Sequence, residues 1–183
     1  FLLGTDEFGR DMLSRILHGS RITLLVGAVA VGISLTTGML VGMVAAFQRG
    51  WVEAVLMRST DVLFSFTETL IALSFVAVLG PSLQNAVIAV GVAGIPFYAR
   101  TCYSAALVET SKPYFEASIA AGAGPGRLVF IHLLPNVLPT MIVVATLGVS
   151  TAILAAAGLS FLGLGAQPPT SEWGYMLAGS RDY

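Results

Sequence analysis

Four stretches of the chain are apolar almost without interruption: residues 22–47, 62–80, 86–107 and 137–158. Each has about the 18 or more residues that a helix rising about 1.5 Å per residue needs to cross a hydrocarbon core roughly 30 Å thick. The pattern predicts four membrane-spanning helices. Polarity returns between them. Residues 48–61 read as a charged connection, Pro81-Ser82-Leu83-Gln84-Asn85 as a tight polar turn, and residues 108–136 as a long connection rich in alanine, glycine and proline. An even number of spans puts both ends of this sequence on the same side of the membrane.

The long connection has its own punctuation. Ser111 or Lys112 precedes Pro113, a residue tolerated in a first helical turn, so a short helix is expected from Tyr114 to Ala121. Gly122 has the freedom to end that helix in the left-handed conformation, Pro125 to start another, and Pro135 to end it. A bent helical hairpin results. Its Ala117, Ala120 and Ala121 form a face of little bulk that a partner could approach closely, unless the alanines reflect helix propensity alone. Elsewhere Gly38 and Gly42 have the spacing that brings helices close in lipid. Pro96, two residues after Gly94, is expected to kink the third span and free a carbonyl.

Composition agrees with a membrane protein. Of 183 residues, 56% are hydrophobic and 10% charged, with a mean hydropathy of +0.86, whereas soluble domains carry roughly a quarter charged residues. The net charge of -1 argues against nucleic acid as a partner. The single cysteine, Cys102, rules out an intrachain disulfide and reads as a small packed hydrophobe. The chain begins at Phe1 and ends at Tyr183 without a basic tail, and is expected to be part of a longer protein. Residues 1–21 are polar and mixed in charge, unlike a signal peptide.

The only lysine, Lys112, is followed by Pro113, so no phosphate-binding G-x-x-x-x-G-K-[ST] loop exists and any ATP hydrolysis must come from another chain. Gly122, Gly124 and Gly126 lack the strand and the spacing of a dinucleotide fingerprint. His18 and His132 fall on opposite sides of the membrane in this topology, which excludes a shared metal site. Two charges stand out. Glu68, seven residues past Asp61 in a span, is either a pathway residue or proton relay, or a structural hydrogen-bonding group. Arg100 either snorkels or pairs. Orientation from charge is almost balanced: Arg49, Arg58, Arg100, Lys112 and Arg127 lie on one side, and Arg10, Arg15, Arg21 and Arg181 on the other. The lean is toward a cytoplasmic 108–136 loop.

The loop also carries a motif. Glu116-Ala117-Ser118, then Gly122, then His132-Leu133-Leu134-Pro135 resembles the E-A-A, G, nine residues, I-x-L-P signature of ABC importer permeases. Two further stretches narrow the likeness to the dipeptide, oligopeptide and nickel importers. Leu3-Gly4-Thr5-Asp6-Glu7-Phe8-Gly9-Arg10-Asp11-Met12-Leu13-Ser14-Arg15 resembles the segment before their second span. Leu159-Ser160-Phe161-Leu162-Gly163-Leu164-Gly165-Ala166-Gln167-Pro168-Pro169, followed by Trp173-Gly174, is similar to the end of their fifth. The sequence departs from the pattern of the family it resembles at Ser118, His132, Tyr103, Thr67, Glu68 and Ala156.

The resemblance implies an all-α, polytopic helical bundle of the type I ABC importer permease kind. One further span is implied at each end, before Phe1 and after Tyr183. It also implies a non-catalytic transport subunit of a prokaryotic inner membrane, working by alternating access for a peptide or related solute. The implied partners are a second homologous permease, two ATPase subunits that use ATP and magnesium, and an extracytoplasmic substrate-binding protein. Residues 108–136 would be the cytoplasmic ATPase-coupling loop, with Glu116, Ala117, Ser118, Ala120, Ala121, Gly122, Leu134 and Pro135 as its contact and bend residues. Residues 1–21 would be extracytoplasmic, with Gly4, Asp6, Gly9, Arg10 and Asp11 as their motif. Glu68, Pro96 and Arg100 are the candidate pathway residues. The rival reading is a proton-coupled secondary transporter using Glu68, for which inverted repeats and half-helices would be expected.

Overall fold

The computed structural model describes residues 3–6 and 9–180. Phe1, Glu7, Phe8, Arg181 and Tyr183, which figure in the sequence reading, lie outside the described residues. The described chain is helical: α1 (Met12–Gln48), α2 (Trp51–Phe64), α3 (Glu68–Leu79), α4 (Leu83–Thr110), α5 (Pro113–Ala120), a single turn α6 (Pro125–Arg127), a π-helical segment (Leu128–Leu133), α7 (Leu134–Phe161) and α8 (Trp173–Gly179). Three runs are long and apolar enough to cross a membrane: α1, α4 and the continuous stretch Pro125–Phe161. The α2–α3 pair makes a fourth when counted as one interrupted span.

Several boundaries differ from the sequence reading, each for a local reason. Met12 opens α1 well inside the polar 1–21 segment, because the Asp11 carboxylate accepts the Ser14 N–H and caps the helix. Residues 48–61 are mostly helix rather than a loop. Arg49 and Gly50 turn the chain with positive φ, and the Glu53 carboxylate accepts the Gly50 N–H at 3.2 Å to start α2. The 62–80 run is not one helix. It breaks at residues 65–67, and Glu68 becomes the first residue of α3, where a carboxylate is favoured by the helix dipole. The expectation that Glu68 sits mid-helix beyond Asp61 is therefore corrected. The 81–85 turn is shorter than expected, since Ser82 Oγ accepts the Asn85 N–H as α4 begins at Leu83.

The prolines also behave differently. Pro96 is buried and α4 continues through it without a break. Pro135 does not end a helix. The π turn before it shifts pairing by one residue, so that Leu134 N–H bonds the Val129 carbonyl, and Pro135 falls in the first turn of α7. A missing N–H is tolerated there.

Contacts divide the chain into two compact units. The first comprises Phe1–Val31, Glu68–Ala93 and Gly148–Tyr183. In it Val26, Val76, Ala89 and Ala152 are buried, and a Cβ at Gly27 would meet Ile153 of α7 at 2.6 Å. Trp173 fastens α8 to α1, donating its N–H to Thr23 Oγ1 and its indole N–H to the Ile16 carbonyl. The second unit comprises Gly32–Thr67 and Gly94–Leu147. Here the small-residue seam read from the sequence is real: a Cβ at Gly38 would lie 2.6 Å from the Tyr98 Cβ, and one at Gly42 2.5 Å from the Ala99 carbonyl oxygen. Cys102 is buried in the same seam, its thiol directed at the Met39 carbonyl.

That seam generates a test. Gly42→Val should lower the thermal unfolding midpoint of the detergent-purified protein, a loss of about 1–3 kcal/mol typical of overpacking. Gly32→Ala, where nothing lies within 4 Å, should leave it unchanged or raise it. Equal behaviour of the two variants would show that the seam does not constrain the fold.

Candidate functional site

The 108–136 region is a hairpin built by its prolines and one glycine. Lys112 is extended because Pro113 follows it, and Pro113 then opens α5. The helix closes on a two-bond cap in which Gly122 N–H bonds the Ile119 carbonyl and Ala123 N–H the Ser118 carbonyl. That geometry requires a positive φ at Gly122, which is +80°. A left-handed residue with a Cβ would be strained by about 1–2 kcal/mol. Gly124 is extended before Pro125, α6 turns the chain back, and the π turn runs into α7.

Burial fixes the two arms together. Phe115 of α5 and Leu128 and Leu133 of the π turn are buried, and α5 packs on that turn. The opposite side of α5 is open: Glu116, Ala117, Ala120 and Ala121 are all exposed, as is Ile119. The small-residue face expected from the sequence is thus presented rather than packed away. Ser118 is half-buried and donates its hydroxyl to the Tyr114 carbonyl at 2.8 Å, inside its own helix. Leu134 is half-buried and Pro135 exposed at the start of α7.

The base of the hairpin carries a cluster that the sequence reading did not single out. Glu109 Oε1 pairs with Lys112 Nζ at 2.6 Å, and its Oε2 accepts the Tyr114 hydroxyl at 2.8 Å. Desolvation and that bond to Glu109 push the Tyr114 phenol up to about 12. The Tyr114 ring lies 6.3 Å from that of His132 on the π turn. The Glu109–Lys112 spacing was a readable helical pair. Tyr114, across a proline turn, gave no such signal.

A second charged group lies on α2 and α4. Arg100 pairs with Asp61 at 2.7 Å, and Tyr103 donates to Glu53. Together with Arg58 they line a cavity of about 320 Å³. Of the two readings of Arg100, pairing is the one realised, which lowers the cost of a charge at membrane depth. Pro96 is buried four residues earlier in α4, and Glu68 is exposed at the start of α3. The three candidate pathway residues are not gathered into one site.

The N-terminal motif forms a compact loop. Thr5 and Asp11 make an antiparallel bridge, and Gly4 and Gly9 take positive φ on either side of Asp6. The Asp6 carboxylate accepts the Arg10 N–H at 2.8 Å, pairs with Arg10 Nε at 2.7 Å, and meets Arg15 at 3.4 Å. Asp6, Arg10 and Arg15 line a cavity of about 380 Å³ with Tyr175 and Met176 of α8. The motif residues Gly4, Asp6, Gly9, Arg10 and Asp11 are therefore in one place, with Asp6 bonded to Gly9 and Arg10.

Comparison with known proteins adds the family. Residues 38–180 match the family described as binding-protein-dependent transport system inner membrane component. The chain is 50% identical over its full length to a di/tripeptide transport system permease protein, DppC, of Pseudomonas aeruginosa, covering 60% of that protein. It is 48% identical over 97% of its length to the dipeptide transport system permease protein DppC of Escherichia coli, covering 59% of it. The chain thus spans about 60% of the length of the curated relatives it matches. Its fold is similar to a chain of the MetNI methionine ABC transporter in an inward-facing conformation, with a TM-score of 0.74, 24% identity, and coverage of 85% of this chain and 77% of that one. The chain belongs to the family of inner-membrane components of binding-protein-dependent transport systems, the permeases of ABC importers.

Proposed function

We propose that the chain is the membrane-spanning part of a permease subunit that imports small peptides by alternating access, driven by separate ATPases. The observation that carries this reading is the hairpin. A helix capped at its C-terminus, with an exposed face of alanines, turns at Gly122 into a second arm that runs without a break into a membrane-spanning helix. Such a piece suits a surface that is pushed. The likeness to di/tripeptide permeases supports peptides as the cargo.

The other parts fall into place around it. The chain has no phosphate-binding loop of its own, so ATP and magnesium belong to two ATPase subunits docked on residues 108–136. Glu116 gives a polar anchor beside Ala117, Ala120 and Ala121, Gly122 fixes the bend, and Leu134 and Pro135 pass it to α7. Many apolar side chains of α7 are exposed, among them Ile142, Val143, Leu147 and Leu154; they face lipid or a second permease. The Asp6 loop of residues 1–21 lies on the extracytoplasmic side, where a binding protein delivers substrate. The membrane is the inner membrane of a prokaryote. A proton relay at Glu68 draws no support from a carboxylate that is exposed at a helix start and is not gathered with the other candidate pathway residues.

Reconstitution of the full transporter in proteoliposomes, with its binding protein, tests the reading. Gly122→Val should cut peptide uptake per ATP hydrolysed by about tenfold, the effect of about 1.4 kcal/mol of misdirected bend, while the membrane subunits still assemble. Wild-type uptake by that variant would remove Gly122 as the bend. Uptake that persists without ATP but stops when the proton gradient is collapsed would overturn the importer itself.

The hydroxyl of Ser118, which stands in place of the usual alanine, bonds to the Tyr114 carbonyl within α5. Ser118→Ala should leave ATPase co-purification unchanged and shift stability by no more than about 0.5 kcal/mol; loss of the ATPase in that variant would give the hydroxyl a docking role.

A further inference from the structure

We infer that Glu109 is a positioning residue that hands movement of α5 to the membrane helix α4. The proposal rests on the reading of α5 as the docking helix. The two ends of the hairpin are connected to the membrane in different ways. At its far end the chain runs from α6 through the π turn into α7 as continuous helix, Pro125–Phe161. At its near end, α4 stops at Thr110 and α5 starts at Pro113.

The backbone hydrogen bonds across that near junction are local. Ser111 N–H reaches back to Leu107, Lys112 N–H to Glu109, and Phe115 N–H to Lys112. Lys112, the residue before α5, makes no side-chain cap to it. A junction of this kind bends at its few free dihedrals, and a displaced α5 would tilt without moving α4.

Glu109 closes the joint. It sits in the last turn of α4 with its side chain 12% exposed, and its two oxygens are used in two directions. One holds Lys112 in the connection, and the other takes the hydroxyl of Tyr114 in the first turn of α5. The bond to Tyr114 passes directly from one helix to the next. Hydrogen bonds to a charged group are the strong ones, and partial burial strengthens them further.

The tie also continues inward on both sides. Tyr114 is beside His132 on the π turn. Thr110, next to Glu109, accepts Arg49 Nη2 at 3.5 Å, which reaches the α1–α2 turn where Glu53 holds Gly50 and takes the Tyr103 hydroxyl. All of these residues belong to the same compact unit. Within it, Glu109 is a side-chain tie between α4 and α5.

The test uses the complete transporter in proteoliposomes with its binding protein, reading radiolabelled dialanine imported per phosphate released. Glu109→Ala should lower that ratio by about tenfold, the scale of a lost hydrogen bond to a charged group, with the ATPase subunits still co-purifying at the wild-type amount. Glu109→Gln keeps an acceptor for Tyr114 but not the charge facing Lys112, and should fall between. Tyr114→Phe removes one hydroxyl, puts little of the fold at risk, and should lower the ratio by about tenfold as well, because it removes the same bond to the charged group. A wild-type ratio in both Glu109→Ala and Tyr114→Phe overturns the proposal. So does loss of the ATPase subunits from Glu109→Ala, which would make Glu109 part of the docking surface instead. Wild-type transporter that shows no ATP-driven uptake overturns the importer reading and this proposal together.

Discussion

In hydrocarbon there is no water to take up a free backbone N–H or carbonyl, so every helix in this chain must keep its own hydrogen bonds or find a substitute. That constraint explains why the helices outlast their prolines. α4 continues past Pro96, and α7 contains Pro139. The π turn from Leu128 to Leu133 lets the chain absorb Pro135 as the opening of a new α-helical register rather than as a stop. Where a helix does end, side chains take over. The Asn85 amide donates to the Leu79 and Gly80 carbonyls at the end of α3, and the buried Glu172 carboxylate accepts the Tyr175 N–H at the start of α8.

The same constraint places the charges. Only 10% of the residues are charged, and several of those near the apolar runs are paired or sit at helix starts. Arg100 meets Asp61, Glu68 opens α3, and Glu53 both starts α2 and receives Tyr103. With no hydrophobic force between helices in lipid, close packing must do the work. Gly38 and Gly42 supply it by bringing α1 to the backbone of α4.

Much of this was legible in the sequence because it depends on one residue at a time. Apolar runs marked the membrane class, the glycine spacing marked α1 for a close helix approach without naming its partner, and Gly122 marked the bend. What could not be read depends on competition between neighbours. Residues 48–61 look polar enough for a loop, yet Glu53 capping Gly50 is enough to start a helix there. The 62–80 run looks uniform, but Ser65 bonds back to Asp61 and Glu68 favours a helix start, so the run divides between them. Pro135 does not end a helix because the π turn before it leaves it in the first turn of α7, where a missing N–H is tolerated. In the hairpin, Glu116 and the alanines were visible as a motif. Glu109 and Tyr114 were not, because their meeting requires the turn at Pro113 to be known first.

The contrast between the hairpin's two ends bears on how force can travel through it. A continuous helix such as Pro125–Phe161 transmits displacement along its axis through its backbone bonds, whatever its side chains are. A joint tied by one carboxylate transmits only while that carboxylate keeps both partners. Residues of the first kind tolerate substitution, and residues of the second kind do not. On this argument the Ser118 hydroxyl, which bonds back to Tyr114 inside α5, can be lost without moving either end of the hairpin. The small set of groups that set the angle of α5, namely Gly122 at one end and Glu109 with Tyr114 at the other, is where the geometry leaves no freedom.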